Sequence, residues 1–165
     1  MDTARILRHL TFPRWRVHRA FPKNALHAIA MAVRESETLH DGELRFVLEG
    51  GMDLPLLLRN VSARQRAVEL FSRLRVWDTE HNSGVLIYVQ LADRKVEILA
   101  DRGIHQRVGQ APWQRICAQM QKAFGEGRFE AGAVAGVHDV GRVLAEQFPA
   151  RRENPDELPN APVVL

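Results

Sequence analysis

The sequence predicts an α/β domain: a small mixed β-sheet, in which a parallel pair is extended by an antiparallel hairpin strand, sandwiched between helices. Three observations predict it. Apolar residues recur at helical spacing in four separate segments. Residues 43–48, 85–89 and 95–100 read as strands. A helix stands between the first two of these, and a right-handed crossover makes that pair parallel.

Each element has its own signal. Pro22 opens a helix, since its missing N–H costs nothing in a first turn, and Leu26, Ile29, Ala30 and Val33 continue it to a stop near His40-Asp41-Gly42. Leu44, Phe46 and Leu48 alternate along a strand that Gly50-Gly51 ends. Ser62 and Gln65 form a capping box before a helix with the apolar stripe Ala63, Ala67, Leu70, Phe71 and Leu74. Trp77 is expected to pack at its end. The run Val85-Leu86-Ile87-Tyr88-Val89 is short and apolar throughout, which predicts a strand buried on both faces. Asp93-Arg94 turns the chain, and Val96, Ile98 and Ala100 return as the hairpin partner.

Pro112 starts a third helix, with Trp113, Ile116, Cys117, Met120 and Phe124 on one stripe and Gly125 or Gly127 as its stop. A last helix runs from Glu130 through Ala133, Val137, Val140 and Leu144 to Phe148. Gly132, Gly136 and Gly141 weaken its propensity, and their spacing suits close helix packing. The domain organisation expected is a basic arm (1–21), the α/β domain (22–148) and a disordered tail (149–165). Residues 1–12 are expected to be mobile as well, because neither end has an apolar face long enough to offset the ordering entropy.

Composition narrows the classes. At 165 residues, 45% hydrophobic and 26% charged, the chain is an ordinary globular domain. No apolar run approaches the roughly 18 residues of a spanning helix. Met1 to Arg19 has arginines throughout and does not read as a secretory signal. The single cysteine, Cys117, excludes internal disulfides and thiolate metal clusters, and points to a cytoplasmic protein. Cys117 lies on an apolar stripe, so it reads as core rather than as a nucleophile. There is no Walker-type loop and no GxSxG elbow.

Charge is unevenly placed. Arg5, Arg8, Arg14, Arg16, Arg19 and Lys23 face only Asp2 within residues 1–23, while the chain as a whole carries +3. A basic segment of this kind binds phosphate-bearing surfaces or is simply a solvated arm. Trp15 between Arg14 and Arg16 suits a membrane interface or folds back onto the domain. No specific nucleic-acid binding is expected, and nothing in the sequence speaks to oligomeric state.

The topology also places the polar loops. The starts of the parallel strands and the finish of the third strand share one rim of the sheet. That gathers His40, Asp41, Glu43, Asp78, Glu80, His81, Asn82, Asp101, Arg102 and His105. Oxygen-rich rims suit hard cations such as calcium or magnesium. Glu43, Asp78 and Asp101 are the candidate ligands, and Arg102 the candidate phosphate-binding or charge-partner group. Glu80, His81, Asn82 and His105 are further candidates at the rim. The alternative is a set of loop residues that cap helices and pair with arginines.

Several of these segments together resemble a known family. They are Asp41-Gly42-Glu43-Leu44-Arg45-Phe46-Val47, Asn82-Ser83-Gly84-Val85-Leu86-Ile87-Tyr88 and Ala92-Asp93-Arg94-Lys95-Val96-Glu97-Ile98, with Asp101-Arg102-Gly103-Ile104 and 124–132. The resemblance is to the TPM domain family, the thylakoid lumen acid phosphatase-like proteins, and spans residues 22–148. It implies a helix-flanked mixed sheet and a divalent-cation site, often calcium, at the same rim. It also implies pairing with membrane proteins and, in some relatives, acid phosphatase activity. This chain has Asn82-Ser83-Gly84 where the family has Asp-Asn-Gly, and Asp101-Arg102-Gly103-Ile104-His105 where it has Gly-x-Gly-x-Glu. The function expected is a cation-binding interaction module, cytoplasmic or peripheral to a membrane, that engages a membrane-protein partner or anionic lipid through its arm. The alternative is a metal-assisted phosphomonoesterase.

Overall fold

A computed structural model describes residues 2–151 and 157–165. Ahead of the sheet come α1 (Thr3–Leu10), α2 (Arg14–Ala20) and α3 (Lys23–Glu37). Strand β1 (Glu43–Glu49) is followed by α4 (Leu54–Leu58) and α5 (Ala63–Arg73), then by the hairpin β2 (Gly84–Gln90) and β3 (Lys95–Ala100). The chain continues through α6 (Arg102–Val108), α7 (Ala111–Gly125) and α8 (Phe129–Gln147) to the short strand β4 (Val163–Val164).

The sheet order is β3-β2-β1-β4. Strands β1 and β2 are parallel, with Glu43 opposite Gly84 and Glu49 opposite Gln90. Strand β3 is antiparallel to β2, with Val85 opposite Ala100. The mixed sheet and its helical covering therefore agree with the sequence. Both faces of β1 and β2 are buried. Phe46, Leu48, Ile87 and Val89 face a core shared with Ile29, Val33, Trp113 and Val137 from α3, α7 and α8. Val47, Leu86 and Tyr88 face Ala67 and Leu70 of α5.

The capping box forms as read: Ser62 Oγ accepts the Gln65 N–H, and Gln65 Oε1 accepts the Ser62 N–H. The α8 glycines are contact points. A Cβ at Gly132 would lie 2.7 Å from Ala123 Cβ, and one at Gly136 or Gly141 would overlap Met120 or Ser36. Side chains have been given up there so that α7 and α3 approach α8 closely. Trp77 does not pack as expected. It is half exposed, its indole N–H reaching the Ser72 carbonyl.

Two further expectations are corrected. The first concerns residues 1–12: Met1 lies outside the described residues, and residues 2–12, built around α1, are docked rather than mobile. The β2–β3 turn carries Asp93. Arg5 Nη2 lies 2.9 Å from its Oδ2, and Arg8 Nη2 lies 2.8 Å from its Oδ1. His9 Nε2 stands 2.9 Å from Oδ1. The fully buried His9 ring accepts the Met52 N–H at Nδ1, so its proton sits on Nε2, facing the carboxylate. A Cβ at Gly51 would collide with the His9 carbonyl, so α1 can seat only on a glycine. Burial works against the Asp93 charge. Hydrogen bonds from Arg5 and Arg8, with the His9 ring close beside the carboxylate, outweigh it and hold the carboxyl well below the usual range. Charge-assisted contacts to Asp93, rather than apolar area, offset the ordering entropy of this segment.

The second correction concerns the tail, 149–165. Its residues 152–156 lie outside the described residues, and the rest is docked. Leu165 donates to the Leu48 carbonyl at 2.8 Å, and Val163 pairs with Val47 in parallel register. The Leu158 N–H donates to Glu43 Oε2 at 3.0 Å, and Leu158 itself is buried. Arg45 reaches back to the carbonyls of Pro159 and Ala161. The outer edge of β1 offers a row of backbone donors and acceptors, and the tail satisfies them.

Asp93→Asn should release the arm. The variant is expected to show faster amide exchange across residues 3–20 and to unfold more easily by about 1–3 kcal/mol, because two arginines lose a charge-assisted acceptor. Hydrogen exchange and urea unfolding check it. Unchanged protection in α1 would leave the anchor without a role.

Candidate functional site

The rim predicted from topology is present as a place. The Glu43 N–H donates to the Ser83 carbonyl and the Asp101 N–H to the Gly84 carbonyl, so the three loops do meet. The side chains do not converge in the same way. Asp78, Glu80, His81, Asn82, Arg102 and His105 are exposed. Glu43 is buried and accepts from Leu158. Glu80 offers only its backbone N–H, which donates to the Glu157 carboxylate at 3.1 Å. Asp101 is the N-cap of α6, with Oδ1 accepting the Arg102 N–H at 2.6 Å. Its other oxygen, Oδ2, is buried without a hydrogen-bond partner among the described residues. Arg102 meets Asp101 through its backbone and not through its guanidinium. Among the described residues no three His, Cys, Asp or Glu side chains are grouped as metal ligands.

Beside the rim lies a cleft of about 530 Å³ lined by Asp41, His81, Ser83, Arg107, Phe148 and Arg151. Of the residues the sequence gathers at the rim, Asp41 and His81 line it. Asp41 is neutralised there, since Arg151 supplies a backbone N–H at 2.7 Å and Nε at 3.1 Å. The Arg107 guanidinium lies 4.7 Å from the Phe148 ring centroid.

Behind the rim, His40 is wholly buried. Its Nδ1 accepts the Gly42 N–H at 3.1 Å, and Nε2 lies 2.9 Å from Ser36 Oγ. Burial pulls its pKa down to about 4, against smaller opposing effects from the Gly42 hydrogen bond and the Asp41 charge. Burial likewise pushes the Cys117 thiol up to about 12, which fits a packing residue and not a nucleophile.

Two constellations escaped the sequence reading. One is a buried ion pair on the α5 side of the sheet. Arg66 forks onto Glu49 with Nη2–Oε1 at 2.6 Å, and the buried Tyr88 hydroxyl donates to Glu49 Oε2. All three are buried and mutually satisfied, so the group braces the sheet. Glu49 ends β1 and Tyr88 lies within β2 near the same end of the sheet, and no spacing links them to Arg66.

The other is a groove of about 690 Å³ at the far end of the sheet from the rim. The arm forms one wall with Phe12, Trp15 and Ala20, and the end of α7 forms the other with Phe124 and Gly125. Phe124 and Phe129 stack with centroids 5.6 Å apart, and the buried Phe21 meets both edge-on. Four cations line the groove: Arg16, Arg19, Arg94 and Lys95. No acid lines it. Arg16 lies 5.7 Å from the Trp15 ring centroid. A signal existed for half of this, because Trp15 among arginines stood out. The rest required the arm to fold back.

The His40 environment sets a pH dependence. Its folded-state value lies below the ordinary 6.5, so the fold holds the neutral ring. That contribution is complete above about 6.5 and is lost as pH falls toward 4. Urea unfolding should show up to about 3 kcal/mol less stability across that interval, and His40→Asn should flatten the profile. An equal slope in both proteins would show that another group titrates.

Comparison with known proteins fits this geometry. The BA42 protein of the psychrophilic bacterium Bizionia argentinensis, solved by NMR, superposes with a TM-score of 0.76 at 32% identity, covering 86% of this chain and 93% of its own. The N-terminal domain of a P. gingivalis protein superposes with a TM-score of 0.63 at 18% identity, covering 82% and 85%, and shares the fold. Nothing among the curated proteins matches. The family model of the TPM domain matches residues 21–143, which take in α3 to α7, most of α8 and every loop of the rim. With the crossover, the hairpin and the rim loops all in place, the chain belongs to the TPM domain family.

Proposed function

We propose that the chain is an interaction module that docks on an anionic membrane surface through its N-terminal segment, beside a membrane-protein partner of the kind its family resemblance implies. One observation carries this reading. The segment is folded and anchored, yet Arg14, Arg16 and Arg19 have no ion-pair partner among the described residues. On the same segment Leu7, Leu10 and Trp15 are 64%, 53% and 56% exposed. Cations beside exposed apolar groups suit an interface between lipid headgroups and acyl chains. Each basic residue near an anionic leaflet contributes about 1 kcal/mol of attraction, screened by salt. No helix among the described residues is long and apolar enough to cross a membrane, so the contact is peripheral in this reading.

Co-sedimentation with phosphatidylserine-containing vesicles should exceed that with pure phosphatidylcholine and should fade as salt rises. Arg14→Gln/Arg16→Gln/Arg19→Gln should weaken it by about tenfold or more. Equal partitioning to both vesicle types would overturn the reading.

A second reading, divalent-cation binding at the rim, has its own observation in the unpartnered Asp101 Oδ2. A hard cation, calcium or magnesium, would satisfy that oxygen. Glu43, Asp78, Glu80, His81, Asn82 and His105 would complete such a site only by moving. Asparagine is also a good N-cap, so Asp101→Asn isolates the charge. Under this reading calcium raises the melting temperature of the wild type and not of the variant. An equal rise in both, or none in either, removes the site. Phosphomonoester hydrolysis has no observation of its own to favour it.

A further inference from the structure

The groove between the arm and the end of α7 has the chemistry of a small-molecule site. Its volume of about 690 Å³ lies in the range of sites that enclose a ligand. One side is aromatic. Phe124 and Phe129 are stacked and held edge-on by Phe21, so that wall is rigid. The other side is cationic. Arg16, Arg19, Arg94 and Lys95 come from two distant parts of the chain, and none forms an ion pair among the described residues. Of the acids flanking Arg94 and Lys95, Asp93 is already committed to Arg5, Arg8 and His9, and Glu97 pairs with Arg64.

We propose that this groove binds a single-chain anionic amphiphile, free in solution. The carboxylate or phosphate head sits among Arg16, Arg19, Arg94 and Lys95, and the apolar chain lies along Phe124 and Phe129. Charge complementarity selects the head, because like charges gathered on a neutral wall repel until an anion joins them. Guanidinium groups also offer paired N–H donors that match a carboxylate or a phosphate. The wall selects the tail, because a small polar anion would leave aromatic surface wet. A neutral chain would leave the cations without a partner. The inference shares Arg16 and Arg19 with the docking proposed above, but it concerns one molecule in a cavity and needs no bilayer.

Isothermal titration of the full chain with dodecanoate and with dodecyl phosphate, each below its micelle concentration, tests it. The expected result is one saturable site. Inorganic phosphate, with the head alone, and dodecanol, with the chain alone, should each bind at least about tenfold more weakly. Gly125→Phe adds a bulky ring to the groove's lining, at a position where an added Cβ meets nothing within 4 Å. It should abolish dodecanoate binding and leave vesicle sedimentation intact. Arg19→Gln/Lys95→Gln should weaken dodecanoate by about tenfold and leave dodecanol unchanged. Dodecanol binding as tightly as dodecanoate would overturn the proposal. So would dodecanoate binding unaffected by Gly125→Phe, or binding seen only when the amphiphile is presented in a bilayer. A protein that binds dodecanoate but ignores anionic vesicles would retain this site and lose the docking reading alone.

Discussion

A single carboxylate, Asp93 at the β2–β3 turn, anchors the N-terminal segment of this protein. It holds Arg5, Arg8 and the buried His9. With α1 fixed there, α2 follows across the end of the sheet, and Phe12, Trp15 and Arg16 become part of a wall. A solvated arm would have left the C-terminal end of β2 open. Asp93 also decides which arginines are spoken for, because its neighbours neutralise it fully. The positive charge left over lies farther along the segment, facing the groove.

The two ends of the sheet differ in how their charges are satisfied. At the rim, acids are tied up locally: Glu43 by the tail, Asp41 by Arg151, Asp101 in part by its own helix. At the groove, cations are gathered and none is matched. The rim thus settles its buried acids mostly within the fold, whereas the groove leaves four cations without an ion pair among the described residues.

The body between these ends is stiff for separate reasons on its two faces. On one, α8 gives up side chains at Gly132, Gly136 and Gly141 and gains close approach to α7 and α3. On the other, the pair of Glu49 and Arg66 with Tyr88 is a closed network, in which removal of one member would strand a buried charge. His40, neutral and buried between Ser36 and Gly42, ties the end of α3 to the loop that leads into β1.

The sequence by itself determined the three longer strands, the long helices, the parallel crossover and the meeting of three loops at one rim. Those follow from periodicity, breakers and handedness, which are local or nearly so. The capping box at Ser62 and the packing role of the α8 glycines were legible for the same reason. Only the tertiary structure decided where the ends of the chain lie and which charges meet. Arg5 finds Asp93, Arg66 finds Glu49, and Leu158 finds Glu43 across separations that carry no repeating signal. An isolated acid or arginine looks the same in sequence whether it is solvated or paired. What distinguishes the two states is the desolvation and the partner that folding supplies.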